Sequence, residues 1–347
     1  MKEQISTNAD AVAGKKAMRG FRAGLLLLMT LSLTARVSAE DTNLFNPIRK
    51  IDPLPLRFDP PTVPVKTLGT GVIKNEELVL GVTINAESRA YPLNMISGPW
   101  REIINDTLGH ESIAVTWCSL CQDAIVFNRR CKDRTLSFGV DGSLWRMNAV
   151  MYDDETKSLW SQFMGEAKGG LLSGARLDVI PAVVMDWKTW RARYPESTVV
   201  VMDRTTESFN VDFHTSVRKM AIGINLNGMA RAYSFEALKH RPVVNDLVGE
   251  RPVVVSFNPE STAAVIFSRR VDQRVLNFES AKDRNLTDLE TRSIWDGLDG
   301  RCLSGELAGK KLATLPSHIA LLQAWVKFYP NSKILVNPPG NSTPPRS

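Results

Sequence analysis

The chain repeats itself once, and this duplication constrains its fold more than any other feature of the sequence. The strongest match places residues 113–130 over residues 253–270 at an offset of 140. Further along, residues 156–160 lie over residues 291–295 at an offset of 135, so a short deletion separates the two blocks. Each unit is about 130 residues long, the length of a domain, so the sequence predicts two similar units in a pseudo-twofold pair rather than a solenoid.

The duplication and the composition of the flanking segments predict five parts of the chain. Residues 40–70 are rich in proline and are expected to form an extended arm, while the last residues are expected to fray. The predicted boundaries are 1–39 for a signal peptide, 40–70 for the arm, 71–205 for the first copy, 206–335 for the second, diverged copy and 336–347 for a flexible tail.

The N-terminus has the pattern of a secretory signal peptide. Lys15, Lys16, Arg19 and Arg22 precede an apolar run at residues 23–33, and small residues at 37–39 then offer a cleavage site. The apolar run is shorter than the roughly 20 residues that a membrane span needs. The sequence therefore predicts export to the periplasm or the exterior after cleavage near Ala39, with no transmembrane span left in the mature protein.

The charge of the mature chain argues against nucleic acid as a partner. The signal segment carries four of the six net positive charges of the whole chain. The remainder is nearly neutral and has no basic run and no interleaving of basic with aromatic residues. Other partners are not indicated by the sequence.

Within each copy the pattern is mostly that of β-strands. A hairpin is predicted at residues 77–91, with its turn at 85–88, and another around the apolar runs 112–117 and 124–129. Helical spacing occurs late in each copy, at residues 182–194 and 317–329, with Ser317 as the expected N-cap. The predicted fold class is α+β and β-dominated, with two similar β-rich units that each have a late helix.

Comparison of the copies separates shared scaffold from a site that one copy has alone. Cys118 and Cys121 of the first copy lie opposite Asn258 and Ser261 of the second. The two cysteines fall at the tip of a predicted hairpin rather than at a helix N-terminus, which argues against a thioredoxin-like motif. A hairpin tip that carries Cys-x-x-Cys instead resembles half of a thiolate metal site, because the turn directs both sulfurs to one point.

The remaining ligands of such a site would have to come from elsewhere in the chain. Candidates are Asp123, Met151 and His214, followed by His110 and Asp141. Sulfur ligands in an exported protein suit Cu(I) or zinc. A disulfide between Cys118 and Cys121 is an open alternative in an oxidising compartment, and the pattern assigns no catalytic residue and leaves open whether the protein is an enzyme.

Two functional hypotheses therefore stand beside each other. In the first, the Cys118–Cys121 thiolates bind a soft metal or take part in redox chemistry. In the second, the protein is a non-catalytic binding module that uses the cleft between the copies, with a structural disulfide at the cysteines. The Asn-Asp pairs at 105–106 and 245–246 occur in both copies, which favours a role in turns over catalysis.

The first copy resembles the DUF3179 family, which consists of exported or membrane-associated bacterial proteins with no established function. In that resemblance Cys118 is the more constant cysteine and hence the better functional candidate. Arg101 and Gln122 depart from the family pattern, which has His and Gly there. The motifs that carry the resemblance are Arg89-Ala90-Tyr91-Pro92-Leu93, Trp100-x-Glu102-Ile103-x-Asn105-Asp106, Val115-Thr116-Trp117-Cys118-x-Leu120-Cys121, Phe138-Gly139-Val140, Val150-Met151-Tyr152-Asp153 and Leu159-Trp160-Ser161-Gln162.

Overall fold

Each copy contains an antiparallel three-stranded meander built from its most β-branched segments. The computed structural model, which describes residues 45–205 and 217–336, confirms the hairpin predicted around the cysteines. Gly109 and His110 have positive φ angles of 55° and 66° and form the two-residue turn between the first two strands. The first meander consists of Ile103–Leu108, Glu111–Cys118 and Asp123–Asn128, and the second of Val243–Val248, Arg251–Asn258 and Ala263–Ser268.

A second kind of sheet, the hairpin sheet, begins and ends each copy. A Cβ atom at Gly81 would lie 1.9 Å from the Trp190 ring, and one at Gly223 would lie 2.0 Å from the Trp325 ring. Glycine at these positions therefore lets each indole lie directly on the sheet. The first hairpin sheet consists of Leu78–Ile84, Glu87–Pro92, Ala182–Asp186, Thr198–Val200 and Thr62–Pro64, and the second of Met220–Leu226, Met229–Ser234, His318–Leu321 and Lys333–Leu335.

A third sheet, the cap sheet, completes each copy. A buried aspartate organises it in both: Asp153 accepts hydrogen bonds from Thr156 N and Trp160 Nε1, and Asp288 accepts the equivalent bonds from residues 291 and 295. The first cap sheet consists of Phe138–Trp145, Asn148–Asp153, Leu159–Ser161, Glu166–Gly169 and Ile48–Arg49, and the second of Phe278–Ser280, Leu286–Asp288, Ile294–Trp295 and Cys302–Ser304.

Short elements fill the connections between these sheets. The α-helices are Leu93–Ile96, Trp187–Arg193, Phe235–His240 and Leu322–Phe328, the 3-10 helices are Val65–Thr67, Val217–Lys219 and Lys282–Arg284, and the short strands are Val179–Ile180, Arg130–Cys131, Arg134–Thr135, Arg270–Val271 and Arg274–Val275. The prediction of an α+β, β-dominated fold is confirmed.

Both late helices start later than predicted. Their first predicted turns are strands of the hairpin sheets, because β-branched residues there pair with neighbouring strands. Asp186 caps the first helix by accepting a 2.6 Å hydrogen bond from Thr189 N. Ser317 does not cap the second helix, which begins at Leu322 after Leu321 and has no side-chain cap. The N-cap prediction was therefore wrong.

The copies interlock through their sheets. Ile319 of the second hairpin sheet pairs with Ala124 of the first meander, so strands of both copies form one eight-stranded sheet. Leu321 N donates to Cys121 O at 3.0 Å, and the equivalent bond from Asp186 N to Ser261 O is also 3.0 Å. Each hairpin sheet therefore adjoins the other copy's meander, and the largest apolar core contains residues of both copies.

The proline-rich arm pairs with the first copy at three places, one of which is an isolated parallel bridge between Phe58 and Asn105. Ile48–Arg49 pairs with the cap sheet and Thr62–Pro64 pairs with Thr198–Val200. The predicted signal peptide and residues 337–347 of the tail lie outside the described residues. Among the residues that are described, no helix has the length and apolar character to cross a membrane.

Candidate metal centre

The turn between two strands of the first meander brings three metal-ligating side chains together. Cys118 ends one strand, Asp123 begins the next, and these two residues pair across the hairpin. Cys121 lies in the turn between them, followed by Gln122 with a φ of 49°. Three ligand atoms lie within 4.8 Å of one another, one from each of Cys118, Cys121 and Asp123. The local sequence thus creates a two-sulfur, one-oxygen donor set.

The donor set is buried, although it lies next to an exposed turn. Cys118, Cys121 and Asp123 are 1%, 3% and 0% exposed, whereas the adjoining Leu120 is 53% exposed. All four cysteines of the chain lie in the described part and are free thiols. The disulfide of the alternative hypothesis is therefore not formed in this structure.

Two amide side chains, one in the first cap sheet and one directly after its strand Leu159–Ser161, hold the aspartate. Asn148 Nδ2 donates to the two carboxylate oxygens of Asp123 at 3.1 and 3.3 Å, and its own Oδ1 accepts from Phe163 N. Gln162 Nε2 donates to Thr116 Oγ1 at 2.8 Å and also bonds Asp123. Gln162 is 1% exposed, and its Oε1 is buried with no hydrogen-bond partner. Both amides therefore fix the carboxylate, and one adjacent acceptor is unused.

Burial dominates the electrostatics of Asp123. Removal from water, reinforced by the nearby Cys121 sulfur, holds the Asp123 pKa well above its usual range despite the bonds from Gln162 and Asn148. A carboxylate in this environment is costly unless a cation compensates its charge. The aspartate is thus suited to bind a cation and poorly suited to exist alone as an anion.

A hydrogen bond couples the Cys118 and Cys121 thiols. The hydrogen bond to Cys121, followed by burial, raises the pKa of Cys118, whereas acceptance of that bond lowers the pKa of Cys121. Asn148 and the charge of Lys327 also favour the Cys121 thiolate. Cys121 is therefore the sulfur that ionises first.

Glu102 is a further buried carboxyl next to the cysteine hairpin. It is 7% exposed, and its Oε1 accepts from Ser119 N and Oγ at 3.2 and 2.7 Å. Burial raises its pKa, and its charge contributes to the raised pKa of Cys118. It adds to the negative potential around the donor set.

The second copy forms one wall of the site. Phe328 stacks on Phe163 with ring centroids 4.3 Å apart and planes at 8°. His318 meets the edge of the same Phe163 ring at 4.9 Å and lies 5.3 Å from Trp325. The cysteine site therefore belongs to the interface of the copies rather than to the first copy alone.

The equivalent place in the second copy has none of these donors. Asn258 and Ser261 replace the cysteines, Ala263 replaces Asp123, Gly297 replaces Gln162 and Pro242 replaces Glu102. The backbone equivalence is direct, since Trp117 N bonds Glu102 O and Phe257 N bonds Pro242 O at 2.8 and 2.9 Å. The fold is thus maintained without the donor set.

The other residues proposed from sequence lie elsewhere. Met151 is fully buried, pairs with Val140 and Trp160, and belongs to a different hydrophobic cluster from the cysteines. Asp141 binds Arg49, and His110 is exposed in a turn. His214 lies outside the described residues. Of the predicted ligands, Asp123 alone joins the cysteines in the described structure.

The Asn-Asp pairs are not in turns, so that expectation was wrong. Asn105 and Asp106 lie in a meander strand. Asn105 bonds both backbone atoms of Phe138, while Asp106 binds Arg89 and Tyr91. The second copy has equivalent bonds from Asn245 and Asp246. These residues connect one sheet to the next.

Sequence reasoning missed four polar residues at the site. Glu102, Asn148 and Gln162 surround the donor set, and His318 comes from the other copy. The comparison of the copies contained a signal for two of them, since Gln162 aligns with Gly297 and Glu102 with Pro242. The contact of His318 with the first copy could not be inferred without the interlocked topology.

Comparison with known protein families gives one result. The DUF3179 family, described as a protein of unknown function, matches residues 52–219 and again residues 210–344. The chain belongs to the DUF3179 family. Its two matched segments confirm two copies of the DUF3179 unit. No curated protein and no solved structure matches this DUF3179 chain.

The alternative hypothesis of a binding module corresponds to a cleft between the two DUF3179 copies. The cleft has a volume of about 430 Å³, and its lining includes Thr83 and Arg193 of one copy and Leu298 and Lys311 of the other. The cysteine site does not line it. A binding role for this cleft remains a prediction that is separate from the chemistry of the cysteines.

Proposed function

We propose that this protein is an exported metal-binding protein whose first DUF3179 copy binds zinc through Cys118, Cys121 and Asp123. The observation that carries the proposal is the convergence of these three buried donors within 4.8 Å. Two thiolates and a carboxylate would place up to three negative charges in an apolar core. A divalent cation offsets that charge, so the arrangement favours a bound metal over three free ionised groups.

The donor types favour zinc over Cu(I). Zinc binds thiolate sulfur and carboxylate oxygen together, whereas Cu(I) selects soft sulfur ligands and gains little from an aspartate. Asn148 and Gln162 orient the carboxylate as outer partners commonly do in metal sites. Binding of the metal would release thiol protons, so affinity would rise with pH.

The proposal is tested by metal analysis of the mature protein, purified under reducing conditions. We expect about one equivalent of zinc in the wild type and in the control Cys131→Ser, which removes a buried thiol outside the site. The variant Cys118→Ser is expected to lose the bound zinc. Equal metal content in both variants, bound copper in place of zinc, or a metal-free wild type after zinc addition would overturn the proposal.

A redox role is the second candidate, and the lowered pKa of Cys121 is the observation that favours it. Thiolate character promotes attack on a disulfide. Burial of both sulfurs opposes the approach of a partner disulfide. Mass spectrometry of unreduced periplasmic protein distinguishes the two candidates: a Cys118–Cys121 disulfide without metal supports redox chemistry, whereas a reduced, zinc-loaded protein excludes it.

Export is part of the proposal and is supported by the N-terminal pattern alone. When the full gene is expressed with its native leader, the exported protein is expected to begin near residue 40. Intact mass measurement of the secreted or periplasmic fraction checks it, and an uncleaved product that stays in the cytoplasm would contradict it.

A further inference from the structure

The second copy has a histidine where the fold requires only an apolar residue. His318 pairs with Gly223 in the second hairpin sheet, and the matching residue of the first copy, Val183, pairs with Gly81. The two strands are otherwise equivalent in register. Valine therefore satisfies this position structurally, and the imidazole requires another explanation.

The register of the joined sheet directs His318 toward the cysteine site. Ile319 pairs with Ala124, which places His318 opposite Ile125 and diagonal to Asp123. Side chains alternate between the faces of a sheet, so His318, Ile125 and Asp123 project from the same face. Diagonal neighbours have Cβ atoms about 7–8 Å apart, which long side chains can bridge.

One ring nitrogen of His318 has no polar partner. Its Nε2 is buried and makes no hydrogen bond, and the ring packs on Phe163 and Trp325. Burial lowers the His318 pKa to about 3, so the imidazole is neutral and carries a free lone pair. A neutral imidazole is the form that binds metals. Gln162, which precedes Phe163, also has a buried polar atom without a hydrogen-bond partner, its Oε1.

We propose that His318 is the fourth ligand of the metal bound by Cys118, Cys121 and Asp123, so that the two copies together complete one site. This inference rests on the proposed zinc function. His318 is not among the three donors within 4.8 Å of one another, so the proposal requires its ring to turn toward Asp123 when the metal binds. Two sulfurs, an oxygen and a nitrogen would then give zinc the four ligands of a closed tetrahedral site.

The proposal gives the second copy a role at the site although it has no donor set of its own. Its strand His318–Leu321 is fixed to the cysteine turn by the bond from Leu321 N to Cys121 O. The converse site has Val183 facing a meander whose cysteines are replaced. The interface that contains the cysteines therefore has a histidine at this position, and the interface that lacks the cysteines has a valine.

The test compares zinc affinity and the cobalt spectrum in the mature full-length protein. His318→Val copies the residue of the matching position, and His240→Ala removes an exposed histidine as a control. We expect His318→Val to weaken zinc binding more than about 100-fold, beyond the loss typical of an outer partner. The ligand-field bands of bound Co(II) should shift while the thiolate charge-transfer band remains. His240→Ala should match the wild type.

The outcomes separate this inference from the proposed function. If the wild type binds no zinc, the metal function itself fails. If the wild type binds zinc and Cys118→Ser does not, but His318→Val retains wild-type affinity and an unchanged cobalt spectrum, the fourth-ligand role is overturned. His318→Cys guards against a folding defect: it should retain tight binding with a stronger charge-transfer band, and loss of zinc from a folded His318→Cys protein would also contradict the role.

Discussion

The two interfaces between the copies occupy equivalent places in the fold but contain different chemistry. One surrounds Cys121, and the other surrounds Ser261, and each receives the same 3.0 Å backbone bond from the opposite hairpin sheet. At the first, Phe163 and Phe328 stack. At the second, Arg193 takes the place of Phe328 and binds Asp296 at 2.7 Å. The two interfaces share this backbone bond but differ in two ways: among the described strands, Ile319 and Ala124 join the sheets at the first interface alone, and the side chains are different.

Features that occur in both copies identify the residues that serve the fold. The bonds that join the sheets within each copy occur twice: Tyr91 to Asp106 at 2.7 Å, and Tyr233 to Asp246 at 2.9 Å. The donor set occurs once. Since the same backbone forms without it, Cys118, Cys121 and Asp123 are not needed to build a DUF3179 unit, and chemistry is the better account of their presence.

The largest effect is expected from truncation of the aromatic interface. Phe328→Ala removes a 5%-exposed ring that packs on Phe163 and Trp145. Loss of a buried phenylalanine costs about 3–5 kcal/mol in the free energy of unfolding. Arg193→Ala at the matching position should cost less, about 1.5–3 kcal/mol, because it removes one charged hydrogen-bond partner. Chemical denaturation monitored by tryptophan fluorescence measures both.

The order of these two losses in the free energy of unfolding shows which interface contributes more to stability. The exposed Leu289 provides a control, since Leu289→Ala should change the free energy of unfolding by less than about 0.5 kcal/mol. A larger loss for Arg193→Ala than for Phe328→Ala would mean that the ionic interface, rather than the aromatic one beside the cysteines, holds the copies together.

Local patterns in the sequence predicted the parts of this fold that depend on local forces. The turn at Asn85 and Ala86, with φ angles of 48° and 68°, and the cysteine hairpin follow from turn residues between β-branched runs. Asp123, one of the predicted ligands, lies only two residues from Cys121. Asn148, Gln162 and His318 reach the site through sheet pairings that span the chain, and no local pattern specifies those. The late helices were extended too far because Val183 and Ile319 fit a helical period until a partner strand is known.

A smaller effect is expected when acid weakens the ionic interface. Burial disfavours the Asp296 carboxylate, but the bond from Arg193 and the backbone amides of Leu298 and Asp299 outweigh it and hold the Asp296 pKa below its ordinary value. A depressed pKa contributes stability that is present above the unfolded pKa near 4 and is lost as pH falls through the lower folded value. The wild type should therefore lose stability below about pH 4.

The variant Asp296→Asn isolates this contribution. It should lower the free energy of unfolding by about 1 kcal/mol at neutral pH and make its dependence on pH flatter below pH 4. Denaturant titrations of both proteins between pH 3 and 7 measure the difference. Parallel pH profiles for the two proteins would contradict the assignment, and Asp154→Asn, at an exposed ion pair, serves as the matched control.

The smallest effect is expected at the counterpart of Cys121 itself. Ser261 is 2% exposed, and its Oγ has no hydrogen-bond partner, although its backbone oxygen accepts the bond from Asp186 N. A buried hydroxyl without a partner destabilises the fold, so Ser261→Ala should raise the free energy of unfolding by about 0.5–1 kcal/mol and leave zinc content unchanged. Denaturation and metal analysis on the same sample measure both quantities. A loss of stability in Ser261→Ala would mean that the Ser261 hydroxyl makes a stabilising polar interaction at this turn. A gain in stability would mean that the turn of the second copy serves only as scaffold and has no counterpart of the Cys121 chemistry.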